Sequence, residues 1–95
     1  MHHGEYKVPG GKLIVADFNL TDGIIHDVQL SGDFFLSPEE TLGRMAATLE
    51  GMTVMDSDEA IADEVRAAAG DAELIGITPE GVAQAIRRGI AGGEQ

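Results

Sequence analysis

Two apolar stretches that alternate with a period of two residues, separated by Thr21-Asp22-Gly23, constrain this chain more than any other feature. From Lys12 to Leu20 the even positions Ile14, Ala16, Phe18 and Leu20 are apolar while Asp17 and Asn19 face the other way, the pattern of a half-buried strand. From Ile24 to Ser31 the apolar set is Ile24, Val28 and Leu30, opposed by Asp27, Gln29 and Ser31. Such runs on either side of Asp-Gly form an antiparallel hairpin. A two-residue loop at Asp22-Gly23 would set Phe18 against Asp27 and mix the two faces. A three-residue loop, with Gly23 left-handed in a bulge, instead pairs Leu20 with Ile24, Phe18 with His26, Ala16 with Val28 and Ile14 with Leu30. The face argument therefore predicts the three-residue loop, with His26 hydrogen-bonded and half-buried opposite Phe18.

Helical signals follow. Ser37-Pro38-Glu39-Glu40 predicts an N-cap at Ser37, Pro38 in the first helical position and a capping box closed by Glu40, ahead of the stripe Leu42, Met45, Ala46 and Leu49, with Gly51 at the C-terminal end. A second helix is expected from Asp56 or Ser57 to Gly70, burying Ile61, Val65 and Ala68. The short apolar run from Glu73 to Ile77 suits a third strand or an extended connector. Thr78-Pro79-Glu80 starts a last helix with Val82, Ile86 and Ile90 inside, and with Arg87 and Arg88 expected to favour its C-terminal dipole. The prediction is one α+β domain over residues 1–95: an antiparallel hairpin, extended to three strands if the run joins it, with about three helices on one face. Residues 1–4 and 92–95 are expected to be loose ends.

Charge narrows the function. Seventeen acidic residues against six basic ones give a formal net charge of -11. Nucleic acid is excluded as a partner, because binding its phosphates requires a cationic footprint. The lysines, Lys7 and Lys12, both lie beside the loop Val8-Pro9-Gly10-Gly11, while the rest of the chain is strongly acidic. The chain has no Cys, which removes disulfides, thiol nucleophiles and iron–sulfur ligation. No apolar run approaches a membrane span and no signal-peptide pattern opens the chain, so a soluble, cytoplasmic domain without a membrane partner is expected.

Several constellations carry chemistry in principle. Consecutive glycines before Lys12 can cradle an anion on backbone N–H groups, with Lys12 as a point charge. They do not form a Walker A loop, since Tyr6 and Leu13 stand at its first glycine and hydroxyl positions. Pro9-Gly10 is by itself a natural type II turn leading into the strand, and the plain turn is the favoured reading. In Gly32-Asp33-Phe34-Phe35 two adjacent aromatics cannot both enter the core of an extended segment, so one ring is expected at a rim or an interface. Asp56-Ser57 resembles the attachment site of acyl carrier proteins, but Asp58 follows where those carriers have an apolar residue, and N-cap duty accounts for Ser57. The acidic pairs Glu39-Glu40, Asp58-Glu59 and Asp63-Glu64 suit helix first turns and solvent-facing sides. Met1-His2-His3 has the order of a square-planar Cu(II) or Ni(II) chelate. With three His and no Cys, no zinc site is expected, and no catalytic residue is assigned.

Gly10-Gly11-Lys12-Leu13-Ile14, the hairpin turn at Asp22-Gly23, and Gly32-Asp33-Phe34-Phe35 followed by Pro38-Glu39-Glu40 together resemble the small C-terminal domain of lipoate-protein ligases, over roughly residues 5 to 90. In some organisms that domain is a separate chain. The resemblance implies an accessory subunit that binds no cofactor alone and works with a catalytic subunit, which uses ATP, Mg and lipoate to form lipoyl-AMP for transfer to a lipoyl carrier domain. In such an accessory role, Lys12, Gly10, Gly11 and Lys7 are expected nearest the nucleotide, and Gly32, Asp33, Phe34 and Phe35 are expected to form the docking contacts. A stand-alone acidic interaction module, an acyl-carrier-like protein and an iron–sulfur assembly scaffold are the alternatives; the missing Cys weighs against the last.

Overall fold

A computed structural model describes residues 1–92 as β1 (His2–Lys7), β2 (Leu13–Thr21), β3 (Ile24–Gly32), β4 (Phe35–Ser37), α1 (Thr41–Leu49), α2 (Asp58–Ala69), β5 (Glu73–Ile75) and α3 (Pro79–Gly92). The expected α+β architecture is present. An antiparallel sheet of order β1-β2-β3 carries the helices on one face, and β4 and β5 form a separate two-stranded ribbon. The third strand of the main sheet is thus β1, and the run from Glu73 pairs with β4 instead.

The hairpin closes differently from the sequence expectation. Asp22 and Gly23 both take positive φ, 54° and 78°, which makes a two-residue turn of the I′ type with Thr21 paired to Ile24. That turn buries Ile25 and leaves Ile24 44% exposed, reversing the expected faces near the tip. A β-bulge then restores them. Asn19 pairs with His26 and Asp17 with Gln29, so Phe18 alone faces Asp27 and Val28, and Asp27 adopts a φ of 56°. Beyond the bulge Ala16 pairs with Leu30, both buried. The bulged amides are satisfied by Glu50, whose carboxylate accepts from Asp27 N–H at 3.0 Å and Val28 N–H at 2.8 Å. His26 consequently sits beside Asn19 on the solvent side, bonded to Thr21 Oγ1 and Asp27. It is His2 that meets Phe18, as a stacked ring with centroids 5.5 Å apart.

β1 has no counterpart in the sequence reading, and residues 2–4 belong to it. Its inward positions are His2, Gly4 and Tyr6, which show no apolar alternation. Gly4 and Gly89 create the contact: a Cβ at Gly4 would fall 2.0 Å from the Ala85 carbonyl oxygen, and one at Gly89 would fall 2.6 Å from the Phe18 ring. α3 therefore crosses β1 almost backbone to backbone. Of the tail expected to be loose, Gly92 ends α3, and 93–95 lie outside the described residues.

Two Pro-initiated motifs behave differently. At Thr78-Pro79 the hydroxyl of Thr78 accepts from Gly81 N–H at 2.9 Å and α3 begins at Pro79, as expected. At Ser37-Pro38 the expected capping box is absent: Ser37 is the last residue of β4, its peptide bond to Pro38 is cis, and α1 starts at Thr41 without a side-chain cap. Pairing of Ser37 with Glu73 holds the would-be cap in a strand, so tertiary pairing overrides a local signal. α2 keeps its expected cap, since Ser57 accepts from Ala60 N–H. Arg87 does not serve the α3 dipole. Its guanidinium donates to Val54 O, Asp56 O and Asp58, joining α3 to the start of α2, while Arg88 lies over the Tyr6 ring.

The core lies between sheet and helices. Ile14, Phe18 and Ile25 from the sheet meet Met45, Leu49, Ile61, Val65, Val82 and Ile86 from the helices, all fully buried. Each such side chain contributes on the order of 1.5–3 kcal/mol. Among the described residues no buried side-chain polar atom lacks a hydrogen-bond partner.

Candidate partner-docking surface

Pro9 and Gly10 form the central residues of a tight turn. Gly11 N–H donates to Val8 O at 2.8 Å, and the positive φ of Gly10, 73°, fits a type II turn. Lys12 N–H donates to Gly76 O at 2.9 Å. The amides of Gly11 and Lys12 are therefore taken up inside the chain, so this loop offers an anion chiefly its lysine ammonium groups. Lys7, which closes β1 opposite Leu13, and Lys12 are both exposed. Every arginine is engaged within the protein: Arg44 with Thr41, Arg66 with Asp63 and Glu80, Arg87 with Asp58, Arg88 with Glu5 O. The lysines make no such bond among the described residues.

The bond to Gly76 ties the lysine loop to the aromatic segment. Gly76 follows β5, and β5 pairs with β4 in the register Phe35 to Ile75, Leu36 to Leu74 and Ser37 to Glu73. Directly opposite residues share a face. Leu36 and Leu74 turn inward, while Phe35 and Ile75 stand outward, 55% and 51% exposed. Phe34 is half-buried and lies against Gly32, and Asp33 is exposed between them. One ring of the aromatic pair is thus at the surface. Leu30, Gly32, Phe34, Phe35, Leu36 and Leu42 line an open groove of about 340 Å³ beside it. The two sets singled out in the sequence, Lys7 to Lys12 and Gly32 to Phe35, converge on one end of the sheet.

Ile75 and Gly76 were not singled out. The apolar run Leu74, Ile75 and Ile77 suits a strand, but nothing local says which apolar residue faces out. A second cavity of about 330 Å³, between α2 and α3, is bordered by Asp58, Glu59, Asp63, Arg66, Glu80 and Gln84. Hydrogen bonds from Arg87 first, and from Gln84, hold the Asp58 carboxyl below its ordinary value against the opposing effect of burial. Asp58, Asp63 and Glu80 are thus committed to the fold, the first through Arg87 and the other two through Arg66. On the open side of the sheet, His3 bridges Asp17 and Glu5 through its two ring nitrogens, at 2.6 Å and 2.7 Å. Among the described residues no group of three or more His, Cys, Asp or Glu side chains is arranged to hold a metal ion.

No protein-family model matches this chain. A solved chain from an archaeal lipoylation system does: the bi-partite lipoate protein ligase and its E2 lipoyl domain of Thermoplasma acidophilum, with a TM-score of 0.71, 29% identity and coverage of 92% of this chain and 98% of that one. This likeness defines the class, a small component of a ligase divided between chains; no helix among the described residues is long and apolar enough to cross a membrane. Among curated proteins, lipoate-protein ligase A subunit 2 of the same organism is 32% identical over 88 residues, which are 92% of this chain and 88% of that protein. The chain belongs to this family, the separate accessory subunits of bipartite lipoate-protein ligases.

Proposed function

We propose that this subunit docks on the catalytic subunit of its ligase and supports the ATP-dependent activation of lipoate. In that step a carboxylate oxygen of lipoate attacks the α-phosphate of ATP, pyrophosphate leaves with Mg, and lipoyl-AMP forms. A lysine amine of a lipoyl carrier domain then attacks the acyl carbonyl and AMP departs. ATP, Mg and lipoate are held in the complex rather than by this chain alone. Its contribution is closure: covering the catalytic site keeps water from a hydrolysable acyl-adenylate. Lys12 and Lys7, with Gly10 and Gly11 setting their spacing, are the cations brought toward the phosphates. Because the reaction consumes ATP, a cytoplasmic location accompanies this reading.

The observation that supports it best is the likeness to a ligase subunit over 92% of the chain, joined to an end where apolar side chains and uncommitted lysines meet. Pyrophosphate release measured with the catalytic subunit, with this chain, and with both provides the test. Release is expected to need the catalytic subunit and to rise when this chain is added. Release by this chain alone, or a catalytic subunit indifferent to it, overturns the reading.

A further inference from the structure

Resting on the accessory-subunit reading, we propose that the catalytic subunit seats on the outward face of the β4–β5 ribbon, with Phe35 and Ile75 as paired anchors and Lys12 at the rim. Phe35 and Ile75 are direct cross-strand neighbours, so they present one continuous apolar step. Leu36 and Leu74 fix the ribbon from beneath, and three-residue strands have little stability of their own without such packing. A large ring on a backbone held in this way is the kind of side chain that dominates association energetics. Phe34, its neighbour in sequence, turns toward Gly32 and does not belong to the seat.

Charge selects the occupant and its orientation. In a chain of net charge -11, the two lysines are at this end and have no intramolecular partner among the described residues. The Lys12 stem lies against Gly76, the residue after Ile75, where a Cβ would come within 2.5 Å of Lys12 Cγ. This is the end that an anionic, ATP-occupied site can approach. The other exposed apolar pair, Ile24 and Met55, is 44% and 88% exposed near the hairpin tip, with exposed Asp22 beside it and no lysine; the ribbon too has exposed acids beside it, Asp33 and Glu73, so the lysines are what set the two ends apart.

Calorimetric titration of the intact catalytic subunit with this chain tests the assignment. Phe35→Asp and Ile75→Asp are each expected to weaken association by about 30-fold or more, whereas Met55→Asp leaves it unchanged. Should the aspartates melt the ribbon, as seen by circular dichroism, Ile75→Thr keeps the β-branched backbone preference while removing apolar surface, and a lesser but clear loss is expected. Wild-type affinity in a folded Phe35→Asp/Ile75→Asp chain overturns the seat while leaving the accessory role standing. Wild-type chain that fails to bind at all overturns that role itself. Sedimentation of the isolated chain is expected to show a monomer; a dimer dissociated by Phe35→Asp would give the face to a second copy and overturn the assignment.

Discussion

The two ends of the sheet differ in how they hold their exposed apolar residues. At the lysine end Phe35 and Ile75 project from paired strands, with neighbouring cations that have no partner among the described residues. At the hairpin tip Ile24 and Met55 lie among acidic residues, and Met55 is on the connection between α1 and α2. The tip's polar groups are spent on holding the fold: Val54 O and Asp56 O accept from Arg87, and Thr53 N–H donates to Asp56. One end has cations left over for another molecule, while the cation near the other, Arg87, is used internally.

The largest expected effect tests that difference at the lysine end. If Lys12 faces developing charge on the nucleotide, a desolvated cation there lowers the barrier by roughly 2 to 4 kcal/mol, about 30- to 1000-fold in rate. Lys12→Ala should therefore slow lipoyl-AMP formation under saturating partner by that factor. Transfer from preformed lipoyl-AMP should be unaffected, because pyrophosphate has already left. Stability should change by no more than about 0.5 kcal/mol, as for an ordinary surface substitution. Equal losses in both half-reactions would point to impaired docking, and no loss in either would leave Gly10-Gly11 as turn chemistry alone. Lys7→Ala, one strand away and further from the glycine pair, should give a smaller loss in the same half-reaction.

The converse holds at the tip. Arg87→Ala removes donors to Asp58 at 2.7 Å, Val54 O at 3.1 Å and Asp56 O at 2.5 Å. Bonds to charged groups carry about 1.5–3 kcal/mol each when well shielded. Arg87 and Asp58 are 30% and 45% exposed, so solvent discounts the sum. A loss of about 2 kcal/mol is expected from urea denaturation. Affinity of the folded protein for the catalytic subunit should not change. A large loss of affinity with no loss of stability would reverse the roles of the two ends.

Much of this architecture is legible in the sequence. The hairpin's position, the caps at Ser57 and Thr78 and one exposed ring in Phe34-Phe35 all follow from local chemistry. What was missed depends on partners distant in the chain. In the sequence pattern a two-residue turn mixes faces; a bulge at Asp27-Val28, made tolerable by Glu50 more than twenty positions away, removes that objection. Ser37-Pro38 has the same cap-and-Pro signal as Thr78-Pro79, yet pairing with Glu73 turns it into a strand end. β1 shows no periodicity because Gly4 is chosen for contact with α3, not for hydrophobicity. The candidate site splits along the same line: Lys12 and Phe35 carry visible signals, whereas Ile75 acquires its importance only from standing opposite Phe35.

The smallest expected effect concerns pH. His3 and Asp17 are cross-strand partners on the open side of the sheet, and with Glu5 also accepting, both ring nitrogens donate only when the imidazole is protonated. The hydrogen bond to Glu5, then that to Asp17, raises the His3 pKa above its ordinary 6.5. A folded-state value above the unfolded one means that the imidazolium stabilises the protein fully below about pH 6.5, provided the carboxylates remain ionised, and that this contribution fades as pH rises through the folded value. The group is solvent-exposed, so the effect is small. Thermal midpoints of wild type and His3→Gln should therefore differ most between about pH 5 and 6.5 and converge on the alkaline side. The opposite trend would show that the bridge is not an imidazolium. Because this titration is confined to β1 and β2 away from the ribbon, affinity for the catalytic subunit should not follow it. An affinity that tracked His3 would connect the open face of the sheet to docking and erase the separation between the committed and uncommitted charges.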